Sequence, residues 1–313
     1  DPPLVQGNAR HKEDLQGRQE KGVKMSYAYY PGCSLHSTAE EYDRSFRKVC
    51  SGLGIDLEEV TNWICCGSSP AHATSHLLSI ALPMHNLAIV EKSGRDEVVV
   101  PCASCFSRFK FAQYEVGKDE ELSRKVSEVV GSEAGKKVNV IHPLETLSGS
   151  GAIASSKVLK DLSFIKAVCY YGCLLTRPPE VTRFDSCEYP MSMDNILRSV
   201  GIETLEWSYK TECCGASLAL TETSIVVKLV GDLLSEAKKV GANAVAVACP
   251  LCHANLDTRQ AEAEASRGER FDIPIFYFTQ LVGLALGFSE EELGLDRHIV
   301  NVEPHLSSLR GGV

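Results

Sequence analysis

Two short stretches decide the fold, VVVPCASC at residues 98–105 and AVAVACPLC at residues 244–252. The first stretch begins with an apolar run at 98–101, and the second includes most of a run at 243–248. Both runs are short and well bounded enough to be buried strands. Each run stops at the first cysteine of a Cys-x-x-Cys motif. Because loops at the carboxyl ends of parallel strands build the site in α/β folds, these motifs predict a thiol-rich site at that edge.

The two motifs end a longer cysteine pattern that occurs twice. In each copy a single cysteine precedes Cys-Cys-Gly and then Cys-x-x-Cys, with 31 and 35 intervening residues in the first copy and 39 and 34 in the second. The pattern takes up ten of the thirteen cysteines: Cys33, Cys65, Cys66, Cys102 and Cys105 form the first set, and Cys173, Cys213, Cys214, Cys249 and Cys252 form the second set. The repeat predicts two equivalent metal sites, one in each half of the chain.

Strand-like and helical segments alternate around both sets. β-rich segments at 26–31 and 167–171 lead to the single cysteines, and helical patterns follow near 38–53, 75–92, 194–200 and 217–240. This alternation is typical of βαβ units with parallel sheets. Matching cysteines are offset by 140 to 148 residues, which indicates a duplicated α/β domain with pseudo-twofold symmetry. We expect a flexible tail at 1–24, domains at 25–150 and 160–300, and a C-terminal tail at 301–313.

The donor set limits the metal. Soft thiolates select zinc, copper(I) or iron–sulfur clusters. Structural zinc takes four ligands, commonly from two Cys-x-x-Cys hooks, whereas each set here has one hook, one adjacent pair and one single cysteine. A cubane cluster needs four cysteines, so five favour an unusual iron–sulfur species. Zinc stays open as an alternative, as does a set in which one cysteine is redox-active or only packed.

The remaining composition argues against several classes of protein. A net charge of −9 with no basic stripe disfavours nucleic acid as a partner. The odd cysteine count, the length of 313 residues and a polar N-terminal stretch disfavour a secreted disulfide framework and favour a reducing, cytoplasmic compartment. The longest apolar stretch, Ile275 to Phe288, is too short to span a bilayer and is typical of a buried helix.

The motifs resemble those of the B subunit of heterodisulfide reductase, in the family with the cysteine-rich CCG domain. The segments that carry the resemblance are Tyr30-Pro31-Gly32-Cys33, Trp63 to Gly67, Pro101 to Cys105, Tyr171-Gly172-Cys173 with Arg177-Pro178, Cys213-Cys214-Gly215, and Cys249 to Asp257. The likeness covers roughly residues 26–290. It implies two Rossmann-like CCG domains with parallel sheets, each holding a cluster at the C-terminal ends of its strands.

The resemblance also implies a chemistry. Each cysteine set would hold a noncubane [4Fe-4S] cluster, and a small disulfide would be cleaved between the two clusters, with one sulfur going to an iron of each. No Gly-x-Gly-x-x-Gly is present, so electrons would come from partners, which are a ferredoxin-like C subunit and often a flavin-bearing A subunit. The alternatives are an electron-transfer subunit of a quinone-linked or other oxidoreductase, and a component of a sulfur-oxidising complex.

Side chains near the cysteines are candidates for catalysis. His253 could donate a proton to a product thiolate or hydrogen-bond a cluster sulfur, and Arg177 could pair with an anionic disulfide. Arg108 and Lys110 could also pair with it, although ordinary solvated charges are the plainer interpretation. Three cysteines lie outside the pattern: Cys50 and Cys169, which we expect to be packed, and Cys187, to which we assign no role.

Overall fold

The structure is a computed structural model that describes residues 25–68, 71–132, 135–149, 153 and 158–309. The N-terminal tail expected at 1–24 and most of the Gly/Ser-rich joint at 148–157 lie outside these described residues.

Two four-stranded, fully parallel sheets form the framework. The strands are β1 (Ser26–Tyr29), β2 (Asp56–Glu59), β3 (Glu97–Val99) and β4 (Asn139–Ile141) in the first sheet, and β5 (Lys166–Tyr170), β6 (Glu203–Thr204), β7 (Ala244–Val247) and β8 (Ile275–Tyr277) in the second. Their orders match, β2-β1-β3-β4 and β6-β5-β7-β8, and every pairing is parallel. The predicted α/β class with two related parallel sheets is confirmed.

Helices connect the strands. In chain order they are α1 (Gly32–Leu35), α2 (Glu40–Leu53), α3 (Ala71–Thr74), α4 (His76–Lys92), α5 (Ala103–Lys118), α6 (Glu120–Val130), α7 (Pro143–Gly149), α8 (Pro179–Thr182), α9 (Ser192–Ser199), α10 (Thr223–Lys239), α11 (Pro250–Thr258), α12 (Gln260–Arg267) and α13 (Phe278–Ala285). Helix α2 shows how the sequence sets the boundaries. Its buried side chains, including Phe46 and Val49, recur at helical spacing, and Gly54 ends it in the left-handed conformation that glycine adopts without strain.

Two predicted helices differ from the structure. The apolar stretch from 275 to 288 begins as strand β8 and only then becomes helix α13, because strand and helix are both fully buried and periodicity cannot separate them. The helix expected over 217–240 is divided. A 3-10 turn at Ala216–Leu218 comes first, and α10 begins only at Thr223.

The two halves pack tightly against each other through α2 and β8–α13. Tyr42 stacks on Tyr277 with ring centroids 4.3 Å apart and planes 6° apart. The buried hydroxyls of Ser45 and Thr279 are 2.7 Å apart. A buried polar pair with both partners satisfied fixes the alignment of two apolar surfaces.

The C-terminal segment also belongs to the packed body. Val302 and Leu306, which the sequence analysis places in a tail, are buried, and a 3-10 helix runs over Glu303–Leu309. Within the described ranges, no helix combines the length and the apolar character that crossing a bilayer requires.

Candidate metal centres

Strand order places the cysteines. In each sheet the second strand of the chain lies on one side of the first and the third strand lies on its other side, which opens a crevice at the carboxyl ends of the two central strands. Cys33 follows β1 and Cys102 follows β3, while Cys173 follows β5 and Cys249 follows β7. The structure therefore brings the single cysteine and the Cys-x-x-Cys motif of each half to one crevice.

The first set contains sulfurs that already touch. The Sγ atoms of Cys66 and Cys105 are 3.0 Å apart. Cys102 shares a sulfur hydrogen bond with Cys105. Cys33 is exposed on α1, and its charge lies near enough to affect the thiol of Cys65. The five thiols thus surround one end of the first sheet.

The second set repeats this arrangement. The Sγ atoms of Cys214 and Cys252 are 3.8 Å apart. Cys173 donates a sulfur hydrogen bond to Cys213, and Cys252 donates one to Cys249. The pseudo-twofold symmetry of the sequence therefore extends to the thiol contacts.

Backbone conformation at the Cys-Cys-Gly motifs is matched as well. Gly67 and Gly215 have φ values of 73° and 77°, a left-handed conformation that glycine adopts without strain. Their N–H groups donate to the sulfurs of Cys65 and Cys213 at 3.4 and 3.3 Å. Such N–H donors favour thiolate over thiol.

Two other glycines leave space beside the sulfurs. A Cβ built on Gly32 would lie 3.3 Å from Sγ of Cys105, and one built on Gly172 would lie 2.9 Å from Sγ of Cys252. Both glycines have a φ near 70°. Only glycine meets both conditions without strain, so each set has a backbone cradle for a group bound on its sulfurs.

Buried side chains hold the Cys-Cys loops. The hydroxyl of Tyr30 donates to the carbonyl of Ile64 at 2.8 Å, and the amide of Asn86 accepts from the N–H of Ile64 and donates to its carbonyl. Ile64 directly precedes Cys65, so these bonds set the start of the loop.

The loop around Cys213 and Cys214 is also held by a buried tyrosine and a buried asparagine. The hydroxyl of Tyr170 donates to the carbonyl of Glu212 at 2.7 Å, next to Cys213. The amide of Asn255, on α11, donates to the carbonyl of Cys214 at 2.6 Å. Each loop therefore has at least two buried polar anchors, which limit the positions open to its sulfurs.

At least one thiol of each set has a lowered pKa, while hydrogen bonds to neighbouring sulfurs raise the pKa of others, such as Cys65 and Cys173. A hydrogen bond from Cys105 lowers the pKa of Cys66 to about 4, and one from Cys173 lowers the pKa of Cys213 to about 6. Each set then presents a thiolate at neutral pH, which is the form that binds metals.

The number of sulfurs in each set, five, exceeds the four that one tetrahedral ion needs. Tetrahedral zinc requires thiolate sulfurs about 3.8 Å from one another. In the described part of the chain, no three cysteine sulfurs lie within 4.8 Å of one another. The group of three possible ligands that meets this distance consists of His253, Asp257 and His298. The spread of five thiols suits a polynuclear cluster better than a single ion.

The two sets meet at the boundary between the halves. Cys102 and Cys249 lie within hydrogen-bonding reach of each other through their sulfurs. Beside them, Nε2 of His142 lies 2.9 Å from the carbonyl of Pro101 and 3.1 Å from the carbonyl of Ala248. Any groups bound by the two sets would therefore be close neighbours in a water-poor region.

Comparison with known proteins agrees with this geometry. The profile of a family described as "CCG: Cysteine-rich domain" matches residues 27–110 and 167–257, one match per half. The chain belongs to the CCG cysteine-rich domain family. The resemblance to the B subunit of heterodisulfide reductase is confirmed, because proteins carrying that name are among the relatives of the chain.

The relatives extend over nearly the whole chain. One is the "8-methylmenaquinol:fumarate reductase membrane anchor subunit" of Wolinella succinogenes, 30% identical over 89% of this chain and 98% of the relative. The B subunit of the ferredoxin:CoB-CoM heterodisulfide reductase of Methanosarcina mazei is 25% identical over 87% and 93%. A protein of Archaeoglobus profundus described as like the B subunit of heterodisulfide reductase is 24% identical over 86% and 93%. CCG proteins of this size therefore serve in more than one kind of oxidoreductase complex.

A solved structure shares the fold. A hypothetical protein from Helicobacter pylori superimposes with a TM-score of 0.73 at 12% identity, over 94% of this chain and 57% of the other. At that identity the match concerns the fold alone.

Arg177, a predicted substrate-binding residue, lies beside the second set. Its backbone N–H donates to the carbonyl of Cys173, and its guanidinium donates to Glu188 at 2.8 Å and to the hydroxyl of Thr211 at 3.0 Å. The guanidinium of Arg177 is thus partly exposed and already forms an ion pair with Glu188. Its role with an anionic substrate stays a prediction.

His253, the other predicted catalytic residue, lies on α11 directly after Cys252. Its ring stacks on Tyr277 with centroids 4.2 Å apart and lies edge-on to His298 at 4.9 Å. Burial lowers its pKa well below the ordinary value for histidine. The ring therefore packs against Tyr277 and His298, and the predicted hydrogen bond from His253 to a cluster or product sulfur stays a prediction.

The other two cationic candidates lie on α5, next to the first set. The guanidinium of Arg108 is 5.5 Å from the ring centre of Phe111, and its charge contributes to the low pKa of Cys66. The ammonium of Lys110 is 5.4 Å from the ring centre of Phe106, and burial lowers its pKa.

The cysteines outside the pattern divide as predicted. Cys50 in α2 and Cys169 in β5 are fully buried, and the thiol of Cys169 hydrogen-bonds the buried Asp194. Burial raises the pKa of both thiols, which keeps them protonated and inert. Cys187 is partly exposed in a loop.

Sequence reasoning missed the residues that hold the site. His142, Asn86 and Asn255 each bond the backbone beside a cysteine. Asn255 lies in the Cys-x-x-Cys motif region and could have been suspected from its place three residues after Cys252. His142 and Asn86 are remote in sequence from any cysteine, so only the fold reveals them.

Proposed function

We propose that this protein is the iron–sulfur catalytic subunit of a heterodisulfide-reductase-like complex. Each cysteine set would hold one noncubane [4Fe-4S] cluster, and the pair would reduce, or reversibly form, a small disulfide with electrons from partner subunits. The observation that carries the proposal is the meeting of two pseudo-equivalent thiol sets at Cys102 and Cys249. Splitting a disulfide takes two electrons, and a pair of adjacent clusters can supply them one at a time.

The chain's own residues would hold and shield the clusters. Helix α5 begins immediately after Cys102 and α11 immediately after Cys249, so the N-terminal N–H groups of two helices lie next to thiolates. The positive ends of these helices stabilise negative charge there. Cys66, Cys102, Cys214 and Cys249 are buried, which excludes water from the region between the sets.

Charged residues would orient the substrate. Arg177 flanks the second set, and Arg108 contributes positive potential to the first. An anionic disulfide could pair with one guanidinium on each side of the boundary between the halves. We propose that partners deliver electrons through the exposed sulfurs, of which Cys33, Cys65 and Cys213 are the most accessible. The expected ferredoxin-like and flavin-bearing partners (the C and A subunits of such a complex) and a cytoplasmic location belong to this proposal.

Iron content and turnover together test the proposal. Anaerobically purified wild-type protein should contain about eight irons per chain and reduce a disulfide such as coenzyme M–coenzyme B with an artificial one-electron donor. Cys66→Ser should lose iron and activity, because this thiolate accepts the hydrogen bond of Cys105. Cys50→Ser, a buried cysteine outside both sets, is the matched control and should keep both. Zinc at one ion per set in the wild type, or normal iron in Cys66→Ser, would overturn the proposal.

A second function is favoured by one comparison. The relative from Wolinella succinogenes is named as belonging to a menaquinol-linked fumarate reductase and is matched over 98% of its length. An electron-transfer subunit of a quinone-linked oxidoreductase would bind iron in the same cysteines and have no disulfide substrate. Iron-loaded protein that is oxidised or reduced by a quinone analogue, and is inert to every disulfide tested, would select this function.

A further inference from the structure

A cluster of side chains of the types that bind metals lies between α11 and the C-terminal segment. The Asp257 carboxylate accepts from the N–H groups of Ile299 and Val300 at 2.7 and 3.1 Å, and this fixes the segment against α11. Arg297, in the same segment, pairs with Glu40 of α2 at 2.7 Å. The segment therefore contacts both halves of the protein.

Three side chains converge at this contact. His253 and Asp257 are four residues apart on α11 and so share one face of the helix. One ring nitrogen of His253, one of His298 and a carboxylate oxygen of Asp257 all lie within 4.8 Å of one another. Two imidazoles and a carboxylate form a common ligand set for zinc-class divalent ions.

The unpaired atoms of the two rings point to a missing partner. Nε2 of His253 and Nδ1 of His298 are buried without a hydrogen-bond partner in the described part of the chain, and the side chain of His253 is only 4% exposed. Buried polar atoms are nearly always satisfied, so each of these atoms needs a partner, either an ordered water or an ion. The backbone carbonyl of Ile275 lies close to both imidazole rings.

A cavity beside His298 would admit an ion, although binding would break one existing hydrogen bond. A cavity of about 500 Å³ lies beside His298 and is lined also by Glu290, Glu291 and Asp296, whose carboxylates attract cations. The amide of Gln280 lies 3.0 Å from Nε2 of His298. An ion on Nδ1 would move the ring proton to Nε2 and break that contact, and the three ligand atoms would have to approach to about 3.3 Å.

We propose that His253, Asp257 and His298 bind one divalent transition-metal ion of the zinc class. The ion fastens the C-terminal segment to the helix that carries Cys252, and the cavity leaves room for water as a further ligand. This ion site shares no residue with either cysteine set, and the proposal does not depend on what the cysteines bind.

The test uses full-length protein with its iron in place. After dialysis with Zn²⁺ and removal of loosely bound ions, wild type should retain about one zinc per chain more than His298→Ala or Asp257→Asn. His76→Ala, an exposed histidine 3.8 Å from Glu115, is the matched control and should retain zinc as wild type does. Iron content should be the same in all four proteins.

Wild-type crystals give a readout that needs no variant. An anomalous map at the zinc edge should show a peak between the three side chains. Zinc found only at the cysteines, a water at this position, or equal zinc in wild type and His298→Ala would overturn the proposal. Loss of iron in the wild type itself would refute the proposed function and leave the zinc result readable.

Discussion

Replacing Gly172 by alanine should remove the group bound by the second cysteine set and leave the first set loaded. The new Cβ would lie 2.9 Å from Sγ of Cys252, at a φ of 69°. The left-handed conformation costs an alanine about 1–2 kcal/mol. Crowding a packed site costs about 1–3 kcal/mol more, and here the crowded atom is a proposed ligand.

Gly201→Ala is the matched control. Gly201 also lies in the second half with φ of 86°, but a Cβ there would meet no atom within 4 Å. Both variants carry the conformational strain, and only Gly172→Ala adds the contact with sulfur. The difference between them in free energy of unfolding, measured by urea denaturation of the metal-free proteins, should be about 1–3 kcal/mol.

Iron content is the decisive assay. Gly172→Ala should hold about half the iron of wild type after anaerobic reconstitution, while Gly201→Ala should hold all of it. Equal iron in the two variants would refute the idea that this glycine makes room for a bound group. Loss of all the iron in Gly172→Ala would contradict the independence of the two sets.

Three further outcomes are expected. Asn255→Leu removes the donor to the carbonyl of Cys214, so it should destabilise the protein by about 1–3 kcal/mol and lower the iron content of the second set. Asn243→Leu is the control, because it removes a hydrogen bond at the other end of β7, away from the cysteines, and should leave the iron content unchanged. Lys210→Met leaves Asp194 buried without its ion-pair partner at 2.7 Å and should cost about 3–5 kcal/mol of unfolding free energy, whereas Lys228→Met at an exposed pair should cost less than about 1. Burial lowers the pKa of His142 to about 4 from 6.5, so the unfolded chain binds the proton more tightly than the folded chain does. The free energy of unfolding should therefore fall as pH drops below about 6.5, by about 3 kcal/mol once pH reaches 4. His142→Gln should lose less stability between pH 6.5 and 4 than wild type, and an unchanged pH profile would show that His142 is not held neutral.

The sequence predicted the parts of the fold that have a clear apolar signal. Strand β7 is buried at every position, and its continuous apolar run predicts a strand. Strand β2 was missed because three of its four residues, DLEE, are charged and the strand is half-exposed at the sheet edge. Strand β6 has only two residues, too few for any periodicity.

The candidate site was predictable as far as local patterns reach. Cysteine spacing and the rule for parallel sheets placed Cys33 with Cys102 and Cys173 with Cys249, and the structure brings those residues to one edge. Local patterns do not predict the contact between the two sets, which only the family resemblance implied, because it depends on how α2 packs against β8 and α13. The orientation of His253 depends on the same packing.

The most direct test of the central claim is an anomalous difference map at the iron edge from anaerobically grown wild-type crystals. The account predicts two iron peaks, one among the sulfurs of each cysteine set, on either side of Cys102 and Cys249. A map with iron in one set only, or with no iron among the cysteines, would contradict it.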